Sequence, residues 1–167
     1  MSNDTGVERT LVLLKPDAVA RGLVGRVVTR FEEALLKIVA VKMVWMDADL
    51  ARRHYFDLEE RFGPAVYNAM ADFMESGPVI AMVLEGVGAV ATTRKLVGST
   101  YPDQAPPGTI RGDFAHMSRD YANGRGIAVA NLVHASGSVE DAAHEIEVWF
   151  AKDEIHERQS PFERYTR

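Results

Sequence analysis

Apolar residues recur along this chain in two rhythms, one of strands and one of helices. Thr10 to Leu14 (TLVLL) is a compact β-rich run that predicts a buried strand. Lys15-Pro16-Asp17 ends it, because proline cannot continue a central strand. Val24, Val27, Val28, Phe31 and Leu35 then follow the spacing of one helix face, with Arg26, Arg30, Glu32 and Glu33 mostly opposite. Ile38 to Val44 predicts a second strand. Asp49 reads as the N-cap of a helix running to about Arg61, and Phe62-Gly63-Pro64 breaks it. A further helix, Ala65 to Glu75, shows Val66, Met70, Phe73 and Met74 as its apolar face, so the two helices form a hairpin standing off the sheet. Val79 to Leu84 predicts the third strand, and Ala89 to Val97 the helix after it. Periodicity then stops from Gly98 to Asp113, where proline and glycine are dense. A stiff loop of that length is more often functional than idle. After a polar stretch from Ala115, Val129 to Val133 predicts the last strand. Ser138, with Glu140 and Asp141 in the next turn, starts a helix over Val139 to Phe150, with Ala142, Ala143, Ile146, Trp149 and Phe150 apolar. Lys152 to Arg167 is charged and weakly patterned, a surface tail or an oligomer contact.

Composition narrows the function classes. The length suits one domain over 1–167, with 1–8 and 153–167 as terminal segments. The chain has no cysteine, which removes disulfides and thiolate zinc sites and fits a cytoplasmic location. Met1 to Arg9 lacks the apolar stretch of a secretory signal, and no run is long enough to span a membrane. The net charge of −5, with both signs interleaved, disfavours nucleic acid as a partner. It leaves room for a local basic pocket that takes a small polyanion.

Candidate chemistry centres on His134, where the last strand meets a loop of small residues. Neutral imidazole is a nucleophile near pH 7 and can carry a covalent intermediate. On position alone it reads more readily as a strand-end histidine satisfied by hydrogen bonds. Glu145 sits at the edge of the last helix's apolar face, where a carboxylate can turn back toward His134. Lys15 lies at a strand end, Arg94 and Lys95 at a helix end, and Thr100 and Arg111 in the long loop, all of them types that hold phosphate oxygens. No Walker-type glycine loop is present, and no cluster has metal-ligand spacing, so a metal would arrive on a substrate phosphate. Ser136 has no nucleophile-elbow context.

Taken in order, these motifs resemble the nucleoside diphosphate kinase family. They are Glu8-Arg9-Thr10, Lys15-Pro16-Asp17, Arg21-Gly22-Leu23-Val24-Gly25, His54-Tyr55, Ser76-Gly77-Pro78-Val79, the run Pro107 to Phe114, and Asn131-Leu132-Val133-His134-Ala135-Ser136. The similarity covers about residues 8 to 155, and the run Pro107 to Phe114 followed by Asn-x-x-His-x-Ser is very specific.

The resemblance implies an α+β, ferredoxin-like βαββαβ domain with a four-stranded antiparallel sheet, an inserted helical hairpin and a long nucleotide-site loop. It implies ping-pong transfer of the γ-phosphate of a nucleoside triphosphate, mainly ATP, to a nucleoside diphosphate, with Mg²⁺ held mainly by the phosphates. In that scheme His134 is the phosphorylated histidine, Glu145 orients it, and Ser136 stands near Glu145. Arg94, Thr100 and Arg111 match the phosphate ligands, Lys15 and Asn131 the sugar ligands, and Tyr55 and His54 the residues beside the γ-phosphate. Phe62 matches the aromatic that stacks on the base and Met70 an apolar partner. Homo-oligomers, hexamers or tetramers built from dimers, are also implied. The alternative is a nucleotide-binding regulatory module without significant turnover. The chain departs from the common form at three residues and in two segments. Ala18, Ala135 and Gly137 replace commoner residues, and the segments Arg61 to Met74 and Phe114 to Asn131 are both longer.

Overall fold

A computed structural model describes residues 6–165. The chain runs β1 (Val7–Leu14), α1 (Pro16–Ala20), α2 (Val24–Glu33), β2 (Lys37–Trp45), α3 (Ala48–His54), α4 (Leu58–Phe62), α5 (Pro64–Glu75), β3 (Pro78–Val87), α6 (Ala89–Val97), α7 (Ile110–Phe114), α8 (Arg119–Arg125), β4 (Val133–Ala135) and α9 (Val139–Trp149). The four strands form one antiparallel sheet in the order β2-β3-β1-β4, the ferredoxin-like arrangement.

Alternation along β1 explains the layers. Val12 and Leu14 face α2 and α6, in a core with Val27, Phe31 and Val97. Leu11 and Leu13 face the other way, onto Tyr67, Met74, Ile146 and Trp149 from α5 and α9. Both faces of β1 are therefore buried, which is why it reads as an unbroken apolar run. Leu13 pairs with His134 across the sheet, so the histidine shares the α5/α9 face.

Several sequence-based boundaries move. Leu35 does not continue the α2 face. It sits past the helix end at φ 61, 43% exposed, and Leu36 takes the buried place. The helix expected from Asp49 to Arg61 is two helices, capped at Asp47, whose carboxylate accepts from Leu50 N–H at 2.8 Å, and interrupted at Tyr55. On α5 the buried residues are Tyr67, Ala71 and Met74, while Val66 is 44% exposed. Ala143 faces solvent on α9. The loop from Gly98 to Asp113 carries a 3-10 turn at Pro102–Gln104 and most of α7. Gly112 of α7 lies so close to the carbonyl of Pro106 that no side chain fits there.

The last strand differs most. Val129 to Leu132 is not paired, and β4 begins only at Val133. Leu132 is buried in a left-handed conformation, φ 71, unusual for a leucine. Its N–H donates to Asp17 Oδ2 at 3.1 Å, and its carbonyl accepts from Lys15 N–H at 2.8 Å. These two bonds offset the strain and fix the approach to His134.

The C-terminal segment folds back on β2. His156 N–H donates to Val39 at 2.8 Å, and Lys37 Nζ bonds Arg158 O at 2.8 Å and Glu163 at 2.9 Å. Beyond it β2 is an edge strand with Val41, Met43 and Trp45 all at least 60% exposed. No helix among the described residues is long and apolar enough to cross a membrane.

Candidate active site

A cleft of about 640 Å³ opens between the sheet, the α3–α4–α5 hairpin and the loop after α6. His134 stands on its floor, and its Nε2 lies 2.9 Å from Glu145 Oε1. Ser136 Oγ–H donates to the other oxygen of Glu145 at 2.6 Å and accepts from Leu11 N–H at 3.1 Å. Burial works against the Glu145 carboxylate, but the bonds from His134 and Ser136 more than offset it and hold its pKa below the ordinary range. Glu145 is thus ionised and can only accept, so Nε2 of His134 carries the proton. Nδ1 keeps a free lone pair, on a ring that borders the cleft.

His54 packs edge-on against this ring, with centroids 4.8 Å apart. Its Nδ1 accepts from Trp149 Nε1–H at 3.2 Å. Burial, then the nearby His134, Lys15 and His144, push its pKa well below the usual value, so it is neutral. With Nδ1 accepting, the proton of His54 lies on Nε2, a buried donor without a partner among the described residues. His54, His134 and Glu145 are close enough together to suggest a metal site. The tautomer of His54 argues otherwise, because its Nδ1 is taken by Trp149 and its Nε2–H offers a metal no lone pair. The arrangement suits an oxyanion instead.

The cations come from separate elements. Lys15, at the end of β1, is buried and donates from Nζ to Asn131 Oδ1 at 2.8 Å. Burial, reinforced by Arg111 and opposed by Asp17, brings its pKa down to about 8. Arg94 and Thr100 are exposed on the cleft wall. Arg111 is different: its Nε–H donates to Asn131 O at 3.1 Å, Nη1 to Gly98 O and Ser99 O, both at 3.1 Å, and Nη2 to Val133 O at 2.5 Å. Burial and the charge on Arg94 lower its pKa to about 10, so it remains charged at neutral pH. Most of its donors clamp backbone, and little is left for a ligand. Asn131 also donates from Nδ2 to Thr100 O at 2.8 Å, which joins the two loops. Tyr55 lines the cleft, and burial, aided by Glu145, raises its pKa, so the phenol stays neutral.

The structure therefore gathers Lys15, His54, Tyr55, Met70, Arg94, Thr100, Arg111, Asn131, His134 and Glu145 around one cleft, with Ser136 directly behind Glu145. Phe62 does not join them. It is 56% exposed at the end of α4, with the Arg61 guanidinium 5.0 Å from the centroid of its ring. A second, mostly apolar cavity of about 390 Å³ adjoins the cleft through Met70, Thr100 and Asn131, and α5 lines it with Val66 rather than Phe62. Sequence reasoning missed Arg61, which reaches the cleft from α4 while pairing with Asp57 at 3.0 Å. Its only signal was an i, i+4 ion pair, which resembles any solvated helix surface.

These features define a ferredoxin-like α+β protein whose cleft sets cationic side chains around a histidine paired with a carboxylate. A family model described as nucleoside diphosphate kinase matches residues 8–155. The nucleoside diphosphate kinase of Borreliella burgdorferi is 44% identical over 95% of this chain and 98% of its own. That of Pyrococcus furiosus is 48% identical over 90% of this chain and 88% of its own. A solved transition-state mimic of the Borrelia burgdorferi enzyme, with bound vanadate and ADP, superposes with a TM-score of 0.94 at 42% identity, covering 98% of both chains. The chain belongs to the nucleoside diphosphate kinase family.

Proposed function

We propose that this chain transfers the γ-phosphate of a nucleoside triphosphate, mainly ATP, to a nucleoside diphosphate through a phosphohistidine on His134. The observation that carries this reading is the pairing of Nε2 with Glu145, which leaves Nδ1 as the nucleophile toward the cleft. Nδ1 attacks the γ-phosphorus in line, the bond from phosphorus to the bridging oxygen breaks, and the diphosphate leaves with that electron pair. Glu145 stabilises the positive charge that develops on the imidazole. Arg94, Thr100 and the unpartnered Nε2–H of His54 face the transferring oxygens, and Lys15 adds charge. A second diphosphate then attacks the phosphohistidine by the reverse route. The likeness to a chain that holds vanadate and ADP supports the placement.

Mg²⁺ fits as a partner of the phosphates rather than of the protein. It prefers oxygen ligands and keeps several waters, and the only candidate ligand cluster among the described residues is rich in imidazole. When bound, it neutralises charge on the phosphate chain. The chain acts as one domain and assembles with itself, and the exposed Val41, Met43 and Trp45 on edge strand β2 support that assembly. The absence of cysteine fits a cytoplasmic site of action.

A binding module without turnover would leave the His134–Glu145–Ser136 chain without a purpose. Labelled ATP with Mg²⁺ decides between the two. The enzyme gives an acid-labile, base-stable phosphoprotein that a nucleoside diphosphate discharges. Equal labelling of His134→Ala would overturn the assignment.

A further inference from the structure

Helix α8 lies between Phe114 and Asn131, in the segment before His134. Its Arg119 and Asn123 stand one turn apart and both line the second cavity. That cavity meets the catalytic cleft at Met70, Thr100 and Asn131. On the nucleotide reading, phosphates lie at His134 and the sugar at Lys15 and Asn131. The base then has the second cavity to enter. Most of its lining walls are hydrocarbon, Val66, Ala69 and Met70 from α5 and Ile127, Ala128 and Val129 from the segment after α8. Such walls accept any flat ring and distinguish none.

The α8 edge is chemically different. The guanidinium of Arg119 lies 5.6 Å from the centroid of the Tyr101 ring, a contact that restrains it beside the cavity. Neither Arg119 nor Asn123 makes a hydrogen bond with another described residue through its side chain, so both keep donors for a ligand. The helix that carries them is fixed at both ends. Ser118 Oγ accepts from Tyr121 N–H at 3.1 Å, and Gly126 closes the helix at φ 63.

We propose that α8 makes this protein discriminate between bases, with Arg119 and Asn123 reading the edge of a purine and guanine favoured. Guanine presents two acceptors, O6 and N7, on one edge, which matches a donor-only guanidinium. Adenine sets a donor beside N7 and suits Asn123 but not Arg119. A pyrimidine lacks the second ring and leaves its edge further from α8. The order is therefore guanine, adenine, pyrimidine. This inference rests on the phosphotransfer reading, but its test separates the two.

The enzyme is charged with labelled ATP and Mg²⁺, freed of nucleotide, and discharged with GDP, ADP, CDP or UDP at concentrations below saturation. Failure to charge defeats phosphotransfer itself. If it charges, GDP is expected to discharge it about fivefold faster than CDP, the lower range for one exposed bidentate contact. Arg119→Ala brings that ratio close to one, and 7-deaza-GDP loses most of the advantage on the unmodified protein. Asn123→Ala lowers the ratio of ADP to CDP. Each ratio is internal to one protein, so partial misfolding of a variant cancels. A flat base profile in the unmodified protein, or ratios unchanged in both variants, overturns the proposal.

Discussion

The two sides of the cleft follow opposite rules. On the His134 side polar groups are buried and bonded: Ser136 bridges Leu11 and Glu145, Glu145 holds the histidine, and Asn131 joins Lys15 to Thr100. On the outer side, at α4 and α8, Arg61 and Arg119 are exposed and lightly partnered, Arg61 through one ion pair and the Phe62 ring and Arg119 through one ring contact. The first arrangement fixes a nucleophile and its charge before substrate arrives, which is what transfer through a loose transition state needs. The second accommodates different ligands at little cost.

If this contrast is right, removing groups from the bonded side should hurt far more. His134→Ala should lower kcat by more than about 10³-fold and abolish the labelled phosphoprotein, measured by steady-state assay and acid-quench labelling. Glu145→Gln should lower kcat by on the order of 10²-fold while the phosphoprotein still forms, because the ring loses its orienting charge but not its nucleophile. Stopped-flow charging would show this, and an undiminished rate would break the comparison.

Lys15 gives an intermediate effect with a definite sign. Burial depresses its pKa to about 8, so it is charged below that pH and neutral above it. The kcat/KM for a nucleotide should then fall about tenfold per unit as pH rises beyond 8, since this parameter reports the free enzyme. Lys15→Met should lie lower and lose that limb. On the loose side, Met70→Ala should raise KM for every diphosphate by about fivefold, from roughly 1 kcal/mol of lost apolar contact. An effect as large as that of Glu145→Gln would show that the outer wall is not loose.

Sequence pattern reveals the parts that local chemistry decides. α6 is readable to its ends, and β1 and β3 are readable in their apolar centres, though β1 starts three residues earlier, at Val7, and β3 runs three residues further, to Val87. The division of α3 from α4 is not readable, since Tyr55-Phe56-Asp57 contains no breaker. The late start of β4 is hidden too, because Leu132 is held by Asp17 and Lys15, 115 residues or more away. At the site, each matched motif residue except Phe62 reaches the cleft or the group behind it. Phe62 stands exposed at the end of α4, apart from the residues that line the cleft, and Arg61 is missed because its ion pair looks ordinary.

Arg111 entered as a phosphate ligand and is bonded largely to backbone. Its bonds reach 12 and 13 residues back to Ser99 and Gly98, and 20 and 22 residues forward to Asn131 and Val133. In topological terms it is a cross-link that closes two loops at one planar group. In a chain without cysteine it takes the place a disulfide would hold, and no reductant can cut it. Lysine could not replace it, because an ammonium gathers its donors on one atom while the guanidinium spreads them over three.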